Sequence, residues 1–178
     1  PKVGMAIRWP KGIKAKGEIR NQYHHISDIA PTILEASKIS FPEEYHGVEQ
    51  QPFTGVSMMY SFDNPDAPNA KKVQYYEMFG NRAIWADGWK AVSLHANRMP
   101  WDVNVRGDFS KDTWELYHVA EDFSESTDLA AKHPEKLEEL KKAFEEEAWA
   151  NNVYPLYDDM VKRLAKVNDV LFGDKKEF

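Results

Sequence analysis

No cysteine occurs anywhere in the 178 residues. That excludes disulfides, thiolate metal sites and a thiol nucleophile, and leaves the redox compartment undecided. No apolar run approaches the ~20 residues that cross a bilayer. Basic charge is not in excess either: the net charge is -6 and the pI is near 5.5. That argues against a nucleic-acid or anionic-membrane partner, which would favour a basic face. Nine glycines and ten prolines are ordinary usage, which excludes a fibrous or low-complexity chain. A secretory leader and an initiator methionine are both missing: Pro1-Lys2-Val3 opens straight into an apolar pattern. The expectation is a piece of a longer protein, with its compartment unreadable because any address would lie upstream.

What is present is enough for one compact domain, at 42% hydrophobic residues. Val3 to Trp9 reads as a mostly buried strand stopped by Pro10, followed by a lysine-rich loop through Arg20. Asp28 to Ser37 reads as a short helix, with Asp28 as N-cap accepting from the Ala30 amide and Pro31 in the first turn. Ile29, Ile33, Leu34 and Ala36 supply its apolar stripe. Residues 40–52 read as loop and Val56 to Phe62 as a second short helix. Asn64 to Ala70, rich in Pro, Asp and Asn, is the clearest internal break.

An antiparallel pattern comes next. Val73 to Met78 and Arg82 to Ala86 are strands. Asp87-Gly88 has the two-residue turn chemistry that wants positive φ, and Trp89 to Ser93 returns from it. Leu94 to Asp112 is polar and reads as a surface excursion before a strand at Trp114 to Val119. The helix from Pro134 to about Asn151 is marked by Leu137, Leu140, Phe144 and Ala148 at spacings of three and four. Asp158 to Leu171 is weakly amphipathic, and Gly173 to Phe178 is expected to fray.

Four blocks carry a resemblance. Val3 to Ile13 is similar to a strand written V-P-x-I-V-R-W-P-G-x-I, and Asp28 to Ala36 to a helix written D-x-x-P-T-L-L-x-x-A. Glu77 to Ile84 followed by Asp87 to Val92 is similar to an E-x-x-G-N-R-A-I…G-D-W-K-L-V hairpin. Trp114 to Ala130, with Asp122, Glu125, Asp128, Leu129 and Ala130 in its turn, resembles W-x-L-Y-D-L leading into D-x-x-E-x-x-N/D-L-A, and His133-Pro134-Glu135 opens the helix after it. In this order they resemble the C-terminal portion of a sulfatase of the bacterial arylsulfatase type, in the alkaline-phosphatase-like superfamily. Gly4, His118 and Phe123 depart from the usual proline, aspartate and proline.

The resemblance implies hydrolysis of a sulfate ester, with an aryl sulfate as the expected small-molecule substrate. Calcium and a formylglycine nucleophile are implied for the full-length parent. Its motifs for these, C-x-P-x-R and an Asp-Asn pair, match no position here, so the chain itself is expected to hold no cofactor, no metal and no catalytic residue, and to be inactive alone. Its implied partner is the remainder of the sulfatase catalytic domain, with no nucleic acid and no membrane. A dimer through exposed core surface is the expected self-association, and a periplasmic or secreted location is what the resemblance suggests for the parent. A phosphonate or phosphate ester hydrolase of the same superfamily and a non-catalytic interaction module are the alternatives.

The fold class expected is α+β: a small antiparallel sheet of about four strands packed on the long helix, preceded by a strand and short helices belonging to an alkaline-phosphatase-like α/β core. The expected division is 1–63 as the edge of that core, 64–71 as loop, 72–151 as sheet-plus-helix subdomain and 152–178 as extension. Glu77, Asn81 and Arg82 flank Gly80 at a strand end. They read either as a locally satisfied loop or as a substrate-pocket rim, where Arg82 offers a fork of donors to an anion. His24 and His25, with Asp28 nearby, are the other rim candidates. They could begin a metal site, but two ligands fall short of one, and a capped helix with loop histidines is the plainer reading. Asp122, Glu125 and Asp128 lack the glycine and glutamate of a calcium loop and read as a turn. Tyr75, Tyr76, Trp85, Trp89, Trp114 and Tyr117 read as core rather than a stacking surface. Gly12 to Glu18 is no phosphate loop, and Ser57 lacks the closing glycine of a nucleophile elbow.

Overall fold

The computed structural model describes residues 3–97, 102, 106–159 and 161–165. It is α+β and divides into two compact units, Pro1–Lys72 and Val73–Phe178.

In the first unit, residues 3–9 form no regular secondary structure, and Val3 is 90% exposed. The buried strand expected there does not form. A strand exists through ladder hydrogen bonds to a neighbour, and no strand among the described residues pairs with this one. Helix α1 spans Ile29–Ser37 and closes on Lys38, whose left-handed backbone lets its amide reach the Leu34 and Glu35 carbonyls. Asp28 does not cap it: that residue is itself helical and makes no side-chain cap bond. It belongs instead to the preceding 3-10 turn Ile26–Asp28, where its carboxylate takes the His25 amide and the His25 side chain takes the Ser27 amide. The apolar stripe of α1 is only partly covered: Leu34 and Ala36 are half-buried, while Ile29 and Ile33 are exposed. The stretch 40–52 contains a small hairpin, β1 (Glu44–Tyr45) and β2 (Val48–Glu49), turning at His46-Gly47 with positive φ at both. Helix α2 is a single turn, Met59–Phe62.

The second unit is a four-stranded antiparallel sheet in sequence order: β3 (Val73–Met78), β4 (Asn81–Ala86), β5 (Trp89–Ser93) and β6 (Glu115–His118). Asp87 and Gly88 take positive φ in the β4–β5 turn, as the sequence predicts. Because side chains alternate along a strand, the register aligns them in lateral rows. One row is Tyr75, Ile84, Ala91 and Leu116. Helix α3 (Pro134–Ala150) packs on it through Leu140, Phe144 and Ala148, and Ile84, Ala91, Leu116 and these three are all fully buried. The i, i+4, i+8 spacing of the helical three keeps them on one face. Phe144→Ala is expected to cost about 3–5 kcal/mol, read as a shift of the urea midpoint, because the cavity lies between rigid elements.

The turn after β6 is built by carboxylates. Asp122 accepts from the Ser126 and Thr127 amides, and Asp128 accepts from the Leu116 and Ala130 amides. Lys90 reaches back to Glu125 at 2.6 Å. The acids of this segment thus close a loop rather than gather round an ion.

The expected surface excursion from Leu94 to Asp112 is corrected at both ends. His95 is fully buried and the Asp112 side chain is nearly so, while residues 98–101 and 103–105 lie outside the described residues. Of the expected amphipathic segment 158–171, residues 161–165 are helical, with Val161 and Leu164 exposed; Met160 and 166–171 lie outside the described residues, as does the tail 173–178.

Candidate functional site

A second lateral row of the sheet is polar. Glu77 pairs with Arg82, and Arg82 with Ser93, on the same face as the apolar row. Continuing the period past β5 brings in His95, two residues beyond Ser93. Three of the predicted rim residues, Glu77, Asn81 and Arg82, are thereby gathered at one end of the sheet.

Each is already engaged within the chain. Arg82, 8% exposed, donates from Nη2 to Asp112 Oδ2 at 2.5 Å and lies over the Trp114 and Phe109 rings. The Asp112 carboxylate also meets His95 Nδ1 at 2.8 Å and accepts from the Ala96 amide. His95 Nε2 faces Asp158 Oδ2 at 3.3 Å, and its ring stacks on Phe109 with centroids 4.0 Å apart. Asn81 Oδ1 accepts from the His95 amide. Glu77 accepts from the Gly80 amide and from both terminal nitrogens of Arg163, whose guanidinium also lies over Phe79. Gly80 has φ +90, and a Cβ there would stand 2.8 Å from the Phe109 ring and 2.9 Å from that of His95. Only glycine admits that approach.

The charges settle one another. Burial alone would push the Asp158 carboxyl up, but the Gly107 amide and the His95 ring outweigh it and hold it below the ordinary carboxylate range. The polar row therefore acts as a positioning lattice that fixes the β3–β4 turn and holds Asp158 and Arg163. Sequence reading missed His95, Asp112, Asp158 and Arg163. The one available signal was the alternation Ala91, Ser93, His95, which carries the buried face past the end of β5.

The other two predicted residues lie in the first unit. Asp28, fully buried, joins Lys71 Nζ at 3.1 Å and the Val56 amide at 2.9 Å. His24 Nδ1 stands 3.7 Å from the same carboxylate, and the His24 ring meets Tyr60 edge-on. Lys71 also donates to the Thr54 carbonyl. This hub ties 24–28, 54–56 and 71 together. Among the described residues no group of three His, Asp or Glu side chains is placed to hold a metal ion.

Burial holds both His24 and His25 below the ordinary value of 6.5; Asp28 partly offsets this for His24, while Lys71 adds to it for His25. The unfolded chain therefore takes up protons at a pH where the folded one refuses them. Stability is complete above 6.5 and falls as pH drops through the lowered folded values. The urea midpoint of the first unit should be lower at about pH 5 than at about pH 7.5, and His24→Gln with His25→Gln should flatten that slope.

The family model described as N-sulphoglucosamine sulphohydrolase, C-terminal, matches residues 1–154, and the chain belongs to that family. An uncharacterized sulfatase of Schizosaccharomyces pombe is 30% identical over 137 residues, covering 75% of this chain and 22% of that protein. The fold is shared with the crystal structure of Ps i-CgsB, at TM-score 0.60 and 20% identity over 94% of this chain and 33% of that one. It is shared too with BT4656, solved in complex with its substrate D-glucosamine-2-N,6-O-disulfate, at TM-score 0.57 and 20% identity over 83% and 28%. The chain thus spans about a fifth to a third of the length of these proteins. No helix among the described residues is long and apolar enough to cross a membrane.

Proposed function

We propose that this chain is the C-terminal part of a sulfatase that hydrolyses sulfate esters, and that it supplies packing and part of the cleft rim while the remainder of the catalytic domain supplies the nucleophile and calcium. The family match over residues 1–154 carries the reading. The exposed apolar residues of the first unit support it: Val3, Met5 and Ile7 near its start, Ile26 in the 3-10 turn, and Ile29 and Ile33 on α1. Apolar surface of this kind marks an interface, and the remainder of a longer sulfatase is its natural occupant. Alone, the chain should be inactive, and should dimerise through that surface in sedimentation at high concentration.

The rim role falls to Glu77, Asn81 and Arg82, held in place by Arg163, His95 and Asp112. The resemblance makes an aryl sulfate the first substrate to assay, and the glucosamine disulfate of BT4656 the second. The test is sulfate release by the full-length product of the source gene and by this chain alone. Turnover by the former and none by the latter supports the proposal. Hydrolysis of phosphate or phosphonate esters but not of sulfate esters by the full-length protein overturns it.

A further inference from the structure

The first twenty residues carry six of the 23 basic residues and one of the 29 acidic ones, a local charge of +5 against -11 for the remainder. Their structure leaves much of that charge unneutralised. The backbone turns at Trp9, whose carbonyl accepts from the Gly12 and Ile13 amides. The Lys14 and Ala15 amides then both donate to Asp63 Oδ1. Arg20 anchors the far end by donating to the Ser61 and Phe62 carbonyls, and it takes Glu18 as its ion-pair partner. Both acids of this neighbourhood are thus spent, one on backbone amides and one on Arg20. Arg8, Lys11, Lys14 and Lys16 remain exposed, and none has an ion pair among the described residues. Lys14 and Lys16 are exposed, whereas Ile13 and Ala15 are half-buried. The contrast is α3, where Lys136, Lys141 and Lys142 each stand beside a glutamate.

A backbone pinned at three points, presenting four unpaired cations, is preorganised for a polyanion, because little ordering is lost on binding. We infer that residues 8–16 form a docking surface for a sulfated polysaccharide. The choice of a sulfated glycan over other polyanions rests on the sulfate-ester reading above; the presence of the docking surface does not. The acidic remainder of the chain repels polyanions, which makes any retention diagnostic of this loop.

The test is affinity electrophoresis of the whole chain through dextran sulfate, with unsubstituted dextran and duplex DNA as the comparison polymers. The expected result is retardation by dextran sulfate, weakening as salt is raised, with none by dextran and less by DNA. A variant carrying Lys11→Ser, Lys14→Ser and Lys16→Ser, with an unchanged urea midpoint, should bind about a hundredfold more weakly, at roughly fivefold per cation. A second variant with Lys136, Lys141 and Lys142 changed to serine should bind as the parent does. Absence of retardation, or equal loss in both variants, overturns the docking surface. Equal retardation by DNA overturns the assignment to a sulfated glycan. Binding requires no turnover, so failure of the sulfatase assay on the full-length protein would be a separate result.

Discussion

Asp112→Ala is expected to remove about 3–5 kcal/mol of stability, a large part of the 5–15 kcal/mol roughly typical of a domain. The Asp112 side chain is 3% exposed and takes Arg82 at 2.5 Å and His95 at 2.8 Å. Removing it strands a guanidinium that cannot shed its proton. Arg82 Nε already has no partner, and Nη2 would be left with Ser93 Oγ at 3.4 Å. Trp114 and Phe109 beside it offer ring faces, which replace only a fraction of a carboxylate. Replacing both partners with apolar residues, Arg82→Met with Asp112→Leu, should recover most of the loss, since the cost lies in the orphaned charge rather than in the missing pair. Urea titrations of the two single variants and the double decide it. A single-variant loss under about 1 kcal/mol, the scale of an exposed pair, would mean that Arg82 reaches solvent when its partner is gone.

The elements that sequence reading found are those whose signal is local. The helix at Pro134–Ala150 repeats its apolar residues every three or four positions, and the Asp87-Gly88 turn fixes the register of β4 and β5. The segment Val3 to Trp9 has an equally clear apolar pattern but forms no strand, because a strand needs a neighbour that pattern alone cannot supply. Asp28 illustrates a second failure. Its position before a helix favours a cap, yet burial beside Lys71, 43 positions later, turns it into half of an ion pair. Glu77, Asn81 and Arg82 were legible as a cluster because Gly80 marks the turn between them. Their partners were not: Arg82 meets Asp112 across 30 positions and Glu77 meets Arg163 across 86. Charges at that separation carry no periodicity to read.

The same reasoning gives the first unit its most sensitive position. Asp28→Ala should cost about 3–5 kcal/mol, because one fully buried carboxylate serves the Lys71 ammonium and the amides of His25 and Val56. Lys71 is 4% exposed and would keep only the Thr54 carbonyl as partner. Asp28→Asn retains the shape and an acceptor for the amides but withdraws the charge from Lys71, so its loss should be smaller yet still exceed about 1.5 kcal/mol, the upper end for an ordinary neutral hydrogen bond. The probe is amide exchange at Val56 and Met58, whose N–H groups donate to Asp28 and Thr32. If these amides exchange through opening of the unit, Asp28→Ala should speed them by about a hundredfold or more, at tenfold per 1.4 kcal/mol. Lys71→Met alone would leave the carboxylate buried with its amide donors and should cost less than Asp28→Ala, because two donors still satisfy it. A reversed order of the two losses would show that the ammonium, and not the carboxylate, organises the hub.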